Sequence, residues 1–106
     1  MVGKVRHIQP VPVDIRRLAR EGRLRLSIEA EEVVATTTLA VEDVENALDE
    51  GRLVKREKDE KNQAPWKYTV IGPGRSGRLV YCAGKVIKTK RGTWYFIITA
   101  HWSERK

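Results

Sequence analysis

The sequence predicts a single α+β domain in which short N-terminal helices pack on an antiparallel sheet. The chain has 106 residues, a length typical of one domain with one core. Apolar residues recur at helical spacing in the first half and alternate with polar residues in the second half. The net charge of +7 is also unevenly distributed, because the range 29–50 holds eight acidic residues and no Lys or Arg. The rest of the chain is therefore even more basic than the total, which favours a polyanionic partner.

Residues 1–22 are predicted to form an N-terminal arm and a short helix, and residues 23–106 the single α+β domain. Pro10 and Pro12 favour an extended arm, because proline lacks a backbone donor and disfavours helix in the residue before it. Asp14 is then expected to cap the helix IRRLARE, which Gly22 ends. The alternating segment RLRLSI predicts a short first strand.

Two further helices are predicted before the main sheet. Ser27 is expected to cap the first, and the threonines at 36–38 to end it, because β-branched residues lose side-chain freedom in a helix. The second is predicted from Val41 to Asp49, with Gly51 at its end.

From Arg52 onwards a period of two predicts a four-stranded or five-stranded antiparallel sheet. The predicted segments are a charged edge strand RLVKREK, a loop KDEKNQAP, a strand WKYTVI, a glycine-rich turn GPGRSG, a strand RLVYCAGKVIK with a bulge at Gly84, a hairpin loop TKRG and a final strand TWYFIITAHW. Strict alternation in the final strand puts Tyr95 and His101 on one face. It puts Trp94, Phe96, Ala100 and Trp102 on the other, expected to be the face covered by helices.

Composition excludes several classes of function. No apolar run is long enough to span a bilayer and the N-terminus lacks the apolar stretch of a signal peptide, so a cytoplasmic protein with no membrane partner is expected. Cys82 is the only cysteine and lies in an apolar strand, which favours a buried, inert thiol. With only two histidines and no clustered acids beside them, no metal site and no cofactor are expected.

Cations surround the predicted hairpin between the last two strands. Lys85, Lys88, Lys90 and Arg91 lie within seven residues, next to Trp94 and Tyr95. Cations beside aromatic rings suit RNA, because charges meet phosphates while rings stack on unpaired bases. The alternative is a solvated hairpin whose lysines protect a sheet edge. A second cluster, at Arg16, Arg17, Arg20, Arg23 and Arg25, extends the same surface or docks an acidic partner.

From about Leu26 to Trp102 the chain resembles a bacterial family known as domain of unknown function 4258. The resemblance lies in LAVEDVENALDEG, LVKRE, WKYTVIG, GRLVYCAG and FIITAHW. That family is similar to the RelE/ParE and BrnT toxin folds, which implies a toxin-like protein of a toxin–antitoxin system. The implied activity is a metal-independent endoribonuclease of the mRNA interferase type, in which a ribose 2′-OH attacks the neighbouring phosphate. The implied partners are RNA, including mRNA on the ribosome, and a cognate antitoxin protein.

The resemblance also implies roles for residues of this chain. His101 or Tyr95 would transfer the proton, while Lys88 and Arg91, with Lys85, would stabilise charge on the reacting phosphate. Further RNA contacts are expected from Lys85, Lys90, Arg75, Arg78 and Trp94.

One departure leaves a second function open. Members of the family carry a His-Ala pair followed by arginines at the start of the long helix, whereas here Glu29-Ala30 is followed by Glu31 and Glu32. Carboxylates at these positions repel RNA. A noncatalytic nucleic-acid-binding or protein-interaction module with a degenerate toxin fold is therefore the alternative.

Overall fold

The computed structural model describes residues 9–58 and 66–103, which form three helices and six strands. In chain order the elements are β1 (Gln9–Pro10), α1 (Val13–Arg20), β2 (Leu24–Leu26), α2 (Ile28–Thr36), α3 (Val41–Glu50), β3 (Arg52–Lys58), β4 (Trp66–Pro73), β5 (Leu79–Thr89) and β6 (Gly92–Trp102). The α+β class is thus confirmed. The predicted loop KDEKNQAP falls mostly outside the described residues, although Lys58 ends β3.

The six strands form one mixed sheet in the order β1-β3-β4-β5-β6-β2. The predicted antiparallel meander of β3 to β6 is confirmed, but the sheet has more strands than expected and is not wholly antiparallel. β1 pairs antiparallel with β3 at one edge, and β2 runs parallel to β6 at the other. The backbone N–H of Tyr95 donates to the carbonyl of Arg23 at 3.0 Å, and that of Ser27 to Ile97 at 2.9 Å. Periodicity predicted the strand at 24–26 but carries no information on its partner or direction.

Helix α1 belongs to the common core. Ile15, Leu18 and Ala19 are buried in that core together with Val11, which precedes the helix. Gly22 ends the helix as predicted, with φ of +71°. Its N–H and that of Arg23 return to helix carbonyls at 3.1 and 2.8 Å. The prediction that Asp14 caps this helix is wrong, because the helix begins two residues earlier, at Val13, and Asp14 lies exposed in its first turn.

The other two helices begin and end close to where the sequence predicts. Ser27 caps α2, accepting from the backbone N–H of Ala30 at 3.0 Å. The side chains of Thr36 and Thr37 bond back to helix carbonyls at 2.7 Å where α2 ends. Helix α3 runs one residue further than predicted, to Glu50.

All three helices pack on one side of the sheet, which we call the helix face; the opposite side is the open face. The core of the helix face contains Val70, Val80, Cys82, Tyr95, Ile97 and Ala100 together with the buried residues of the helices. Cys82 is buried, as predicted, and burial raises the pKa of its thiol to about 12. Among the described residues, no helix is long and apolar enough to cross a membrane.

A β-bulge in β6 makes the prediction that Tyr95 and His101 share a face wrong. Thr99 pairs with Ala83 and Ile97 with Gly84, so Ile98 is an extra residue in β6. The sequence predicted a bulge in β5 at Gly84. The structure has the irregularity beside Gly84, but the extra residue, Ile98, belongs to β6. Alternation is reversed beyond it. Tyr95 and Ala100 therefore lie on the helix face, whereas Trp94, Phe96 and His101 lie on the open face.

The two predicted turns are confirmed. The glycine-rich segment is a hairpin turn between β4 and β5, closed by a hydrogen bond from the N–H of Gly74 to the carbonyl of Arg78 at 2.8 Å. Lys90 and Arg91 form the tight turn between β5 and β6, which Gly92 leaves with φ of +129°.

Candidate nucleic-acid interface

The strand register arranges the open face in rows that cross the sheet from β3 to β6. The first row is Arg52, Ile71, Tyr81 and His101; the second is Lys55, Thr69, Ala83 and Thr99; the third is Glu57, Lys67, Lys85 and Phe96, which Arg25 of β2 extends. Ile87 and Trp94 form a fourth row next to the β5–β6 turn. Rings therefore lie mainly on β5 and β6, and cations mainly on the outer strands and in the third row.

The open face is basic. In the part of the chain that the structure describes, its rows hold four accessible cations, at Arg25, Arg52, Lys55 and Lys67, a buried fifth, Lys85, and one carboxylate, at Glu57. Glu57 pairs with Lys55 at 3.0 Å and with Lys67 at 3.7 Å. These lysines, Lys55 foremost, hold the pKa of the Glu57 carboxyl below its usual range. One carboxylate shared between two lysines leaves the face with an excess of positive charge for a polyanion.

Trp94 orders two arginines at the β2 edge of the open face. The guanidinium carbons of Arg23 and Arg25 lie over its ring, at 4.2 and 4.4 Å from the ring centroid. Arg23 is also fixed by its Nε, which donates to the carbonyl of Thr93 at 2.9 Å. Trp94 was expected to stack on bases, but the structure makes it a support for arginines. A stacked guanidinium still presents N–H groups at its edge, and these suit phosphate oxygens.

Tyr81 and His101 form the most exposed aromatic pair of the open face. They are cross-strand partners, with ring centroids 4.7 Å apart and ring planes inclined by only 9°. Nδ1 of His101 lies 2.9 Å from the carbonyl oxygen of Trp102. A carbonyl only accepts, so Nδ1 donates and the neutral ring carries its lone pair on Nε2. The contact and the stack together fix the orientation of the imidazole.

The predicted catalytic residues are not brought together. Lys88 pairs with Thr93, and His101 lies eight residues further along β6. At about 3.3 Å per residue, and allowing for the bulge, the two lie about 23 Å apart along the strand. Lys90 and Arg91 are exposed in the turn beyond Lys88. Lys88 also projects to the opposite face from Lys85, because it shares strand parity with Val86, which packs against the core.

Tyr95 lies within the core instead of beside His101. It is fully buried, and its hydroxyl donates to the backbone carbonyl of Tyr68 at 3.4 Å. Burial raises the pKa of its phenol well above the ordinary value. A proton held there is out of reach of a ligand on the open face, so Tyr95 is a structural residue.

Arg75 and Arg78 lie at the end of the sheet that carries His101, but on the helix side. Arg75 binds Asp43 through its Nε at 3.0 Å, and Arg78 lies over the ring of Trp102 at 4.5 Å. Together with Thr38 and Ser76 these residues line an open cleft of about 460 Å³. Its positive charge is offset by Asp43 itself and by Glu42, whose charge also acts on Arg75. The cleft therefore lacks the excess of cations found on the open face.

Asp43 is a buried carboxylate that fastens the β4–β5 turn to helix α3. Its Oδ1 accepts from the backbone N–H of Arg75 at 2.9 Å, and its Oδ2 from the N–H of Ala40 at 3.0 Å. The hydrogen bond from the Arg75 side chain is the main cause that lowers the pKa of Asp43 to about 2. Desolvation acts in the opposite direction, and the two backbone N–H groups add to the lowering. Sequence inspection gave no role to this residue.

We expect Asp43→Asn to lower the free energy of unfolding by about 2 kcal/mol at pH 6. The pKa of Asp43 is depressed in the folded state, so its contribution is present above the ordinary value of 3.8 and is lost as the pH falls towards 2. The difference between wild type and variant should therefore shrink between pH 4 and pH 2. Urea denaturation across this range measures it. Asp14→Asn, at an exposed carboxylate, is the control, and an equal pH dependence of both variants would contradict the assignment.

Sequence inspection overlooked Tyr81, Phe96 and Lys67 as surface residues of this face. Tyr81 could have been found, because it alternates with Ala83 and Lys85 along β5. Phe96 could not, because its assignment to a face depends on the bulge at Ile98. Arg25 belonged to a recognised arginine cluster, but its partner Trp94 is 69 residues away and only the parallel pairing of β2 with β6 joins them.

No protein-family model, no curated protein and no solved structure matches the chain.

Proposed function

We propose that the protein binds RNA through the open face of its sheet and does so without catalysing cleavage. The observation that carries the proposal is the combination on one face of ordered guanidiniums, lysines and an exposed aromatic pair. Positive charge contributes affinity for the phosphate backbone, and exposed rings accept unpaired bases. The acidic residues of α2 and α3 lie on the other side of the sheet, where they do not oppose this contact.

The separation of the predicted catalytic residues favours binding over cleavage. Attack of a 2′-OH on its neighbouring phosphate needs a base, an acid and charge stabilisation around one phosphorus atom. His101 lies about 23 Å along β6 from Lys88, and Tyr95 is buried. The geometry therefore does not support a toxin-like endonuclease, whereas it does support RNA binding. The cognate antitoxin stays a prediction from the resemblance.

Neutralising two cations of the open face is expected to weaken binding to a 12-nucleotide single-stranded RNA by about 20-fold at 0.1 M salt. Each phosphate contact to a single strand contributes about 0.7 to the slope of log affinity against log salt concentration. The double variant Arg25→Gln/Lys67→Gln should therefore also reduce that slope by about 1.4. Fluorescence anisotropy of a labelled RNA at several salt concentrations measures both quantities.

The matched control makes the same change of charge on the helix side. Arg17 and Arg20 lie exposed on α1, so Arg17→Gln/Arg20→Gln should leave affinity and slope nearly unchanged. Equal losses in both double variants would show that binding reflects net charge alone and would overturn the proposed site.

Incubation with the same RNA tests the absence of catalysis. We expect the RNA to stay intact on a denaturing gel. Cleavage that His101→Ala abolishes would refute the noncatalytic proposal and restore the endonuclease.

A further inference from the structure

We infer that the RNA bound by the open face is single-stranded and that one unpaired base stacks on the outward face of the His101 ring. The inference rests on the proposed function and specifies its ligand. It follows from the stacked pair in the first row of the open face, whose inner ring is Tyr81 and whose outer, exposed ring is His101.

The geometry of the pair suits it to receive a third ring. The two planes are inclined by 9°, so a base laid on His101 continues a stack that the protein has already begun. The imidazole is held on one side by Tyr81 and at its Nδ1 edge by the Trp102 carbonyl. Because its orientation is fixed before binding, little side-chain freedom is lost when the base arrives. The Nε2 edge then offers a hydrogen-bond acceptor beside the base.

The rest of the open face determines how a strand would lie. Along β5, Lys85 is four residues from Tyr81 and Ile87, the partner of Trp94, is six. At about 3.3 Å per residue these positions lie about 13 and 20 Å from the stacked pair. The second row, between them, carries the small side chains of Thr69, Ala83 and Thr99. An RNA strand running lengthwise over β5 and β6 therefore meets the base platform at one end and the guanidiniums of Arg25 and Arg23 towards the other, beyond the buried Lys85.

Duplex RNA does not satisfy this arrangement. Its bases are already stacked on one another, and its sequence-bearing edges lie in a deep, narrow groove. A duplex still meets the cations through its phosphates, but it cannot place a base on His101. The surface should therefore discriminate between the two forms of RNA in a way that depends on this ring.

The experiment compares His101→Ala with His101→Phe in the full-length protein. Both variants remove the imidazole, but only phenylalanine keeps a ring next to Tyr81. With a 12-nucleotide oligouridylate, the alanine variant is expected to bind about 10-fold more weakly than wild type, and the phenylalanine variant within about 2-fold. With a 12-base-pair RNA duplex, both variants should bind as wild type does. Thermal denaturation of each variant confirms that folding is retained, since His101 is exposed.

A series of oligouridylates, each with one abasic nucleotide at a different position, locates the stacked base. The wild-type protein should bind some oligouridylates of the series more weakly, namely those whose abasic nucleotide replaces the stacked base. The affinity of His101→Ala should not depend on the position of the abasic nucleotide. Equal affinity of the alanine and phenylalanine variants for the single strand, with salt-dependent binding intact, would overturn the stacking inference and leave the proposed function standing. Failure of the wild type to bind RNA in a salt-dependent manner would remove the proposed function, and the inference with it.

Discussion

Replacement of Tyr95 by alanine is expected to lower the free energy of unfolding by about 4 kcal/mol and the melting temperature by about 15–20 °C. Tyr95 is fully buried, and its ring packs directly against Gly84 of the neighbouring strand. A Cβ on Gly84 would approach the ring to 2.9 Å, so the space above this glycine is filled by Tyr95. Removing the ring leaves a large cavity in the centre of the helix face. Urea denaturation monitored by circular dichroism measures the change.

Tyr95→Phe separates packing from hydrogen bonding in the same side chain. This substitution keeps the ring and removes one long hydrogen bond to the Tyr68 carbonyl. We expect it to lower the free energy of unfolding by only about 1 kcal/mol. Neither Tyr95→Phe nor moderate destabilisation should change RNA affinity at a temperature where the protein stays folded. A specific loss of RNA binding in Tyr95→Phe would show that the phenol acts on the ligand and that its burial is not maintained in solution.

The second large effect is expected from Gly72→Ala, at the contact between the end of α3 and strand β4. A Cβ at position 72 would lie against the carbonyl oxygen of Ala47 and 2.6 Å from the Cα of Gly51. Both neighbours are backbone atoms, which cannot move aside as a flexible side chain can. We expect destabilisation of about 3 kcal/mol, at the upper end of the usual cost of overpacking. The same denaturation assay measures it.

Gly77→Ala is the control for this prediction. No atom lies within 4 Å of a Cβ at Gly77, but its φ is +97°, so only backbone strain of about 1 kcal/mol is expected. If Gly77→Ala lowered the free energy of unfolding by more than Gly72→Ala does, the close approach of α3 to β4 would not be the dominant constraint at position 72.

The parts of the fold that could be predicted are those with local causes. Ser27 and Gly22 act through hydrogen bonds within a few residues, and the meander of β3 to β6 follows from period-two segments joined by short turns. Asp14 was assigned wrongly although its cause is also local. The helix begins at Val13 and its N-cap position is Pro12, two residues before the predicted cap at Asp14.

The candidate site was harder to predict because its members meet through strand pairing. Arg23 and Arg25 reach Trp94 only because β2 lies parallel beside β6, a pairing between segments about 70 residues apart. The cations around the β5–β6 turn are close in sequence to Trp94, yet Lys88 projects to the opposite face and Lys90 and Arg91 lie in the turn itself. Nearness along the chain was therefore a poor guide to nearness on the surface.

The sequence by itself determined the α+β class, the helices, the order of the strands in the meander and the buried state of Cys82, because hydrophobic periodicity and turn chemistry act over short distances. Only the tertiary structure decided which rings lie on the open face. A single extra residue, Ile98, reverses the alternation of β6, so it buries Tyr95 and exposes His101. A bulge arises from the register between two strands, and that register depends on how the whole sheet packs against its helices.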